Sequence, residues 1–337
     1  MHEAICYEKL DNSLIKCELC AHGCVIENGR LGFCKVRKNI DGKLYSLNYQ
    51  KLIAKSIDPI EKKPLYHFLP GTESFSIALP GCNFRCKFCQ NWHISQVDDI
   101  EKLGRFCSDE TPYNIVDQAL RLNCKSISFT YTEPTVFFEY AYRTAKIAKQ
   151  KGLYTVFVTN GFMSPKAVEL ISPYLDACNV DLKSFSDDFY RENCSAKLEP
   201  VLDCIKRLNR EEVWVEITTL FIPGKNDSER EIEQIAKFIS ELDINIPWHI
   251  SRFFPNYKFS DLEITSDSTI KTALRIASDY GLKYVYPGNV GQAFNTDTIC
   301  HKCGNKLIER NIGYAVRGIN MICGKCPSCS EPVSGVW

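Results

Sequence analysis

Residues 79 to 92 read Leu79-Pro80-Gly81-Cys82-Asn83-Phe84-Arg85-Cys86-Lys87-Phe88-Cys89-Gln90-Asn91-Trp92. The stretch follows a β-rich run, Phe75 to Leu79, and spaces its thiols as C-x3-C-x2-C. Four thiolates fill all four irons of a [4Fe-4S] cubane, so three leave one iron open to a ligand from outside the protein. An open iron is where chemistry can happen. The alternative is a three-cysteine zinc site completed by His93.

Working outward from this loop, short β-rich runs alternate with helical patterns, which argues for βα units and a parallel sheet. The candidate strands are Phe75 to Leu79, Ser126 to Tyr131, Tyr154 to Thr159, Ala177 to Leu182, Val213 to Thr219, Trp248 to Phe253 and Lys283 to Tyr286. Seven runs fall short of the eight of a closed barrel. Thr111-Pro112, Glu133-Pro134 and Ser164-Pro165 each put proline where a first helical turn tolerates it, and Gly152 and Gly281 end their helices. Between Asp227 and Leu242 the apolar residues Ile232, Ile235, Ala236 and Ile239 recur at helical spacing opposite a charged face, as in an outer-layer helix. The division expected is a cysteine-rich segment over 1–70, a (β/α) barrel over 71–296 and a zinc-ribbon-like segment over 297–337.

The chain of 337 residues, with 45% apolar and 24% charged residues, has ordinary globular usage, which disfavours disorder and a coiled coil. Its 41 basic residues balance 41 acidic ones, so charge gives no reason to expect nucleic acid or an anionic membrane as partner. No run approaches the roughly 20 apolar residues of a membrane span, and Met1-His2-Glu3-Ala4 lacks the order of a signal peptide. The expected location is the cytoplasm. In a reducing compartment the 18 cysteines read as metal ligands or redox centres rather than disulfides.

With those residues in view, the C-x3-C-x2-C loop, including the aromatic Phe88, resembles that of the radical S-adenosylmethionine (SAM) superfamily. The resemblance implies a partial (β/α)6-type TIM barrel. It further implies a cluster on Cys82, Cys86 and Cys89 whose unique iron chelates SAM, and cleavage of SAM to methionine and a 5′-deoxyadenosyl radical that abstracts hydrogen from a substrate. Thr130-Tyr131-Thr132-Glu133-Pro134 resembles the family's Gly-Gly-Glu-Pro motif, with both glycines replaced, so that Tyr131, Thr132 and Glu133 would meet the SAM amino group. Read from the residues alone, Glu133 is a first-turn helix carboxylate. Asn160 sits in Thr159-Asn160-Gly161 at the end of the third strand. Asp181 and Lys183 in Asn179-Val180-Asp181-Leu182-Lys183 are similar to the Asp-x-Lys of glycyl-radical-enzyme activating enzymes, which contacts SAM; period-two alternation puts both on one face, and the alternative is a buried ion pair. His249 resembles a histidine near the adenosine in those enzymes, with a packed core histidine as the alternative. Gln90-Asn91 echoes their Cys-His-Asn.

The whole chain resembles a related group, the AmmeMemoRadiSam-system radical SAM enzymes. The residues that carry this are Cys17 to Ile26, Arg30 to Arg37, Cys89 to Trp92, His249 to Pro255 and Gly335-Val336-Trp337. That group implies AMMECR-like and Memo-like protein partners, and the radical chemistry implies a reductant such as flavodoxin or ferredoxin.

Two further cysteine groups flank the barrel. Cys300, Cys303, Cys326 and Cys329 give C-x2-C-x22-C-x2-C, near the spacing of a zinc ribbon, with an auxiliary iron-sulfur cluster as the alternative. Cys323 offers a rival pair with Cys326. Cys17, Cys20, Cys24 and Cys34 give C-x2-C-x3-C-x9-C, open to zinc or a second [4Fe-4S] cluster. The expected protein is therefore an oxidoreductase-type radical SAM enzyme acting on a protein, peptide or small molecule, a glycyl-radical activator being the narrower case. A noncatalytic zinc adaptor or redox sensor is the rival from another class.

Overall fold

The computed structural model describes residues 1–291, 293–311 and 314–337. Its central sheet has eight strands: β1 (Ala54–Pro59), β2 (Glu73–Ala78), β3 (Ser126–Phe129), β4 (Tyr154–Thr159), β5 (Ala177–Asp181), β6 (Trp214–Phe221), β7 (Trp248–Arg252) and β8 (Val285–Gly288). Each strand pairs with its neighbour in the chain. The pairing of β1 with β2 is antiparallel and all the others are parallel. The edges β1 and β8 contain Pro59 and Pro287, which lack the N–H that a central strand must donate. The barrel is thus partial, as expected, but with seven parallel strands rather than six and an antiparallel strand at one edge.

The helices α1 (Pro112–Arg121), α2 (Phe138–Gln150), α3 (Pro165–Ile171), α4 (Glu199–Arg210), α5 (Glu229–Leu242) and α6 (Asp267–Asp279) pack on one face of this sheet. Thr111 and Ser164 cap α1 and α3, accepting the Asn114 N–H at 3.2 Å and the Ala167 N–H at 3.1 Å. The core lies between the layers, where Ile77, Ile127, Phe157, Val180, Ile217 and Ile250 of the strands meet Ile115, Ala145, Val168, Ile205, Ile235 and Ile276 of the helices. Alternation turns the other residues inward, and there the sheet is polar. Asp181, Thr218, His249 and Tyr286 form one register row, with Asn179 and Glu216 in the row before it. The N-terminal ends of the strands are closed by Ile60, Leu65 and Phe68, packed with Val156, Ala177 and Val336.

Residues 1–70 are not separate from the barrel. They supply β1, and Leu19, Ile26, Val36 and Leu44 join the main core. The buried Arg37 donates to Glu139 in the first turn of α2. The C-terminal segment forms its own antiparallel sheet, Thr298–Ile299, Lys306–Arg310 and Val316–Ile319, with a small cluster of Tyr66, Tyr284, Tyr286 and Leu307 beneath it. Among the described residues no helix is long and apolar enough to cross a membrane.

Candidate active site

The loop that follows β2 leaves the C-terminal end of a parallel strand, where such folds gather their functional groups. Gly81 opens it at φ 112°, and a Cβ there would meet Val36 Cγ1 at 2.8 Å, so the loop turns against the N-terminal segment only with glycine. The rest is fixed by its backbone. Arg85 N–H and Lys87 N–H donate to the carbonyls of Cys194 and Asn193 at 2.8 and 2.9 Å. The Arg85 guanidinium donates to the carbonyls of Cys82, Phe84 and Phe33.

Each thiol has a polar neighbour. The Asn160 side-chain amide, just past β4, donates to Cys82 Sγ at 3.7 Å and to Asn83 Oδ1 at 2.7 Å. Cys89 Sγ lies 3.2 Å from Ser95 Oγ. Burial pushes the Cys82 thiol well up, and the neighbouring thiol of Cys194 together with burial does the same to Cys86. Both are neutral thiols until a metal displaces the proton. Burial works against the Lys183 ammonium, but Asp181, 2.9 Å away, outweighs it and raises the group well above the ordinary lysine range, so it stays charged. Lys183 also stands over the ring of buried Phe88 at 5.7 Å.

The end of β3 is tied to the same loop. Asn91 donates to the Tyr131 carbonyl at 2.8 Å, and Thr132 Oγ1 donates to the Leu79 carbonyl at 2.6 Å. Tyr131 holds φ 64°, a conformation more natural to glycine, and its hydroxyl donates to Asp58, which is paired with the buried Lys63 at 2.6 Å. Glu133 is almost fully buried and its acceptors are used by the protein itself. Oε1 takes Thr135 N–H at 3.0 Å and Thr159 Oγ1 at 2.7 Å, and Oε2 takes Asn160 N–H at 2.8 Å. Its carboxylate caps one short helix and holds the end of β4, a positioning role close to the helix-terminus alternative.

The pattern of the Radical SAM superfamily matches residues 76–239. The chain is 43% identical over 335 residues to an uncharacterised protein of Methanocaldococcus jannaschii, across 99% of both chains. A putative glycyl-radical enzyme activating enzyme of the same organism is 29% identical over 215 residues, covering 62% of this chain and 78% of that one. The chain belongs to the radical SAM superfamily. Among solved structures, Streptococcus suis SuiB bound to S-adenosylmethionine superposes with a TM-score of 0.51 at 15% identity, over 68% of this chain and 53% of that one, a likeness of fold.

As a radical SAM enzyme, the protein keeps the remaining candidates in four further places. His249 is buried on the inner face of β7, with Nε2 2.6 Å from Glu216 Oε2 and its ring edge-on to Tyr66 at 4.7 Å. Glu216 also accepts the N–H groups of Tyr66 at 2.9 Å and His67 at 2.7 Å, and these bonds with His249 hold its carboxyl below the usual range despite burial. His249 therefore has a fixed partner within the barrel. Glu216 escaped sequence reasoning, although one carboxylate amid Val213-Trp214-Val215 and Ile217 was a readable signal. His93 is exposed beside Trp92.

The C-terminal thiols do converge. Cys300, Cys303, Cys326 and Cys329 place their sulfurs within 4.8 Å of one another, with Cys300 to Cys329 at 3.7 Å and Cys303 to Cys326 at 3.5 Å. Cys323 is exposed and outside this set, in which Cys326 is grouped with Cys329 instead. Among the described residues no comparable set forms at Cys82, Cys86 and Cys89, with or without His93, nor at Cys17, Cys20, Cys24 and Cys34. The metal-holding group expected at the N-terminal cysteines is thus not found as a converged set among the described residues. Three thiols spaced more widely than one ion demands suit a polynuclear cluster, whose ligands sit on different irons.

Proposed function

We propose that the chain holds a [4Fe-4S] cluster through Cys82, Cys86 and Cys89 and cleaves SAM reductively, directing the 5′-deoxyadenosyl radical at a protein, peptide or small-molecule substrate. One observation carries this reading: Asn160, just past β4, donates to Cys82 of the loop delivered from the end of β2, and Lys183, just past β5, stands over Phe88 of the same loop. The bound cluster would supply an electron for breaking the C5′–S bond and an open iron for the amino and carboxylate groups of SAM. The chain's own groups prepare that encounter. Asn160 donates toward the sulfur of Cys82 and would offset part of its charge once ionised. Asp181 and Lys183 present opposite charges beside the site, a match for the zwitterionic end of SAM. Asn91 fixes the Tyr131 carbonyl, leaving the backbone of Tyr131 and Thr132 at the loop rim, and Phe88 walls the site with an apolar face. His249 would reach the adenosine only by way of the barrel interior that it shares with Glu216.

The AmmeMemoRadiSam assignment is supported by the residue matches over nearly the full length, and it brings AMMECR-like and Memo-like proteins as partners. A flavodoxin or ferredoxin would supply electrons. The barrel, with its edge strand β1 drawn from the N-terminal segment, carries the reaction, the flanking cysteines carry metal, and the working location is the cytoplasm, without nucleic acid or membrane. Activation of a glycyl-radical enzyme is the narrower reading, favoured by the relative that is named as such. Zinc at the three-cysteine loop, and with it the adaptor reading, is disfavoured by the spread of the three thiols. The test is the electron paramagnetic resonance spectrum of the reduced, reconstituted protein. Added SAM shifts the signal if it chelates the cluster, and an unchanged signal at saturating SAM overturns the proposal.

A further inference from the structure

The two flanking cysteine quartets differ in a way that their spacing in sequence does not reveal. A zinc–thiolate bond of about 2.3 Å places tetrahedral sulfurs about 3.8 Å apart. The C-terminal quartet already meets that, with contacts of 3.7 and 3.5 Å. Cys17, Cys20, Cys24 and Cys34 do not. All four line a single pocket, yet no three of their sulfurs lie within 4.8 Å of one another.

The same cavity is otherwise walled by Leu19, Ile26, Phe33 and Val136, and by Arg37. Arg37 is 1% exposed and gives Nη2 to Glu139, but its Nε and Nη1 have no hydrogen-bond partner. Orphaned guanidinium N–H groups in an apolar wall are expensive, and sulfur is the acceptor that this wall offers. A cluster ligated by four thiolates is anionic, so a buried cation with free N–H donors is the complement that it needs. Close backbone approach is built in as well, since a Cβ at Gly32 would meet Ile26 Cδ1 at 3.2 Å and Cys24 Sγ at 3.9 Å.

We propose that Cys17, Cys20, Cys24 and Cys34 ligate a second iron-sulfur cluster, with Arg37 donating to its sulfurs, while Cys300, Cys303, Cys326 and Cys329 hold zinc. This second cluster lies against the loop of the first site. Asn83 lines the cavity, its carbonyl is 2.7 Å from His22 Nε2, and Arg85 of the same loop donates to the Phe33 carbonyl. The inference stands on these residues, independently of the activity proposed above.

The experiment counts iron, sulfide and zinc in the anaerobically reconstituted full chain and in the triple variant Cys82→Ala/Cys86→Ala/Cys89→Ala, with circular dichroism as the folding control. If the proposal holds, the triple variant keeps about four irons per chain where the wild type has about eight, both with a single zinc. A paired variant, Cys20→Ala/Cys24→Ala, then loses the complementary half of the iron. A folded triple variant that is free of iron, or that carries a second zinc, overturns the N-terminal cluster and leaves the radical site standing. If instead the triple variant keeps all the iron of the wild type, the proposed function fails and the N-terminal cluster is upheld. Should the paired variant unfold, the triple variant decides alone.

Discussion

The side-chain amide of Asn160 reaches from the end of β4 to the sulfur of Cys82, 3.7 Å away, and to Asn83 Oδ1 at 2.7 Å. Two loops that are distant in sequence are thereby joined at the first of the three loop cysteines. Replacing Asn160 with Ala removes one donor to sulfur, together with its bonds to Asn83 Oδ1 and the Phe162 N–H, so circular dichroism is the folding control. The variant should lose iron severalfold faster in air than the wild type, as followed by the decay of visible absorbance. Equal decay rates would make the contact incidental.

Glu133 does structural work at the same corner. Its carboxylate accepts from Thr135, Thr159 and Asn160, and Glu133→Ala strands buried donors on all three. The expected loss is about 3 kcal/mol of unfolding free energy, with Glu133→Gln about half as damaging because one acceptor oxygen remains. Denaturant titration measures both. A Glu133→Ala protein as stable as wild type would contradict the positioning role.

Much of this was readable beforehand because the parallel strands are short β-rich runs that alternate along the chain with helical patterns. Ile232, Ile235, Ala236 and Ile239 also lie buried on α5, as their spacing requires. What could not be read were features made by tertiary partners. β1, Ala-Lys-Ser-Ile-Asp-Pro, has no apolar alternation and becomes a strand only because β2 offers its edge, so a domain boundary drawn at residue 70 separated it from its sheet. Tyr131 could not be foreseen at φ 64°, where a glycine would sit without strain, because Asp58 and Lys63, which anchor its hydroxyl, lie far upstream. The width of the N-terminal quartet against the compactness of the C-terminal one is likewise a matter of packing, as both spacings admit either metal.

The compact quartet makes its own prediction. Cys326→Ser should release the C-terminal zinc and loosen the cluster of Tyr66, Tyr284 and Tyr286, whereas Cys323→Ser should leave the zinc content unchanged. Zinc analysis with thermal unfolding checks both. Loss of zinc on replacing Cys323 would return the rival pairing.

His67 ties stability to pH. Its ring is fully buried, with Nδ1–H donating to the Ser334 carbonyl at 2.7 Å and Nε2 accepting from the Tyr286 hydroxyl at 2.5 Å. Burial pushes its pKa from 6.5 down to about 4. A base depressed by folding contributes in full above its unfolded value, and the contribution is lost as pH falls from 6.5 toward 4. The loss is roughly 3 kcal/mol at about 1.4 kcal/mol per unit. His67→Gln should flatten the acid limb of the stability profile measured in denaturant; an unchanged slope would assign that limb to other groups.

The central claim is most directly tested by the anaerobic formation of 5′-deoxyadenosine from SAM and dithionite, with wild type and Cys86→Ala compared at matched folding. The account predicts 5′-deoxyadenosine from the wild type and a drop to background, at least a hundredfold as an order of magnitude, in the variant, because removing one ligand dismantles the cluster. Equal product from both proteins, or none from a wild type with its full iron complement, would contradict it.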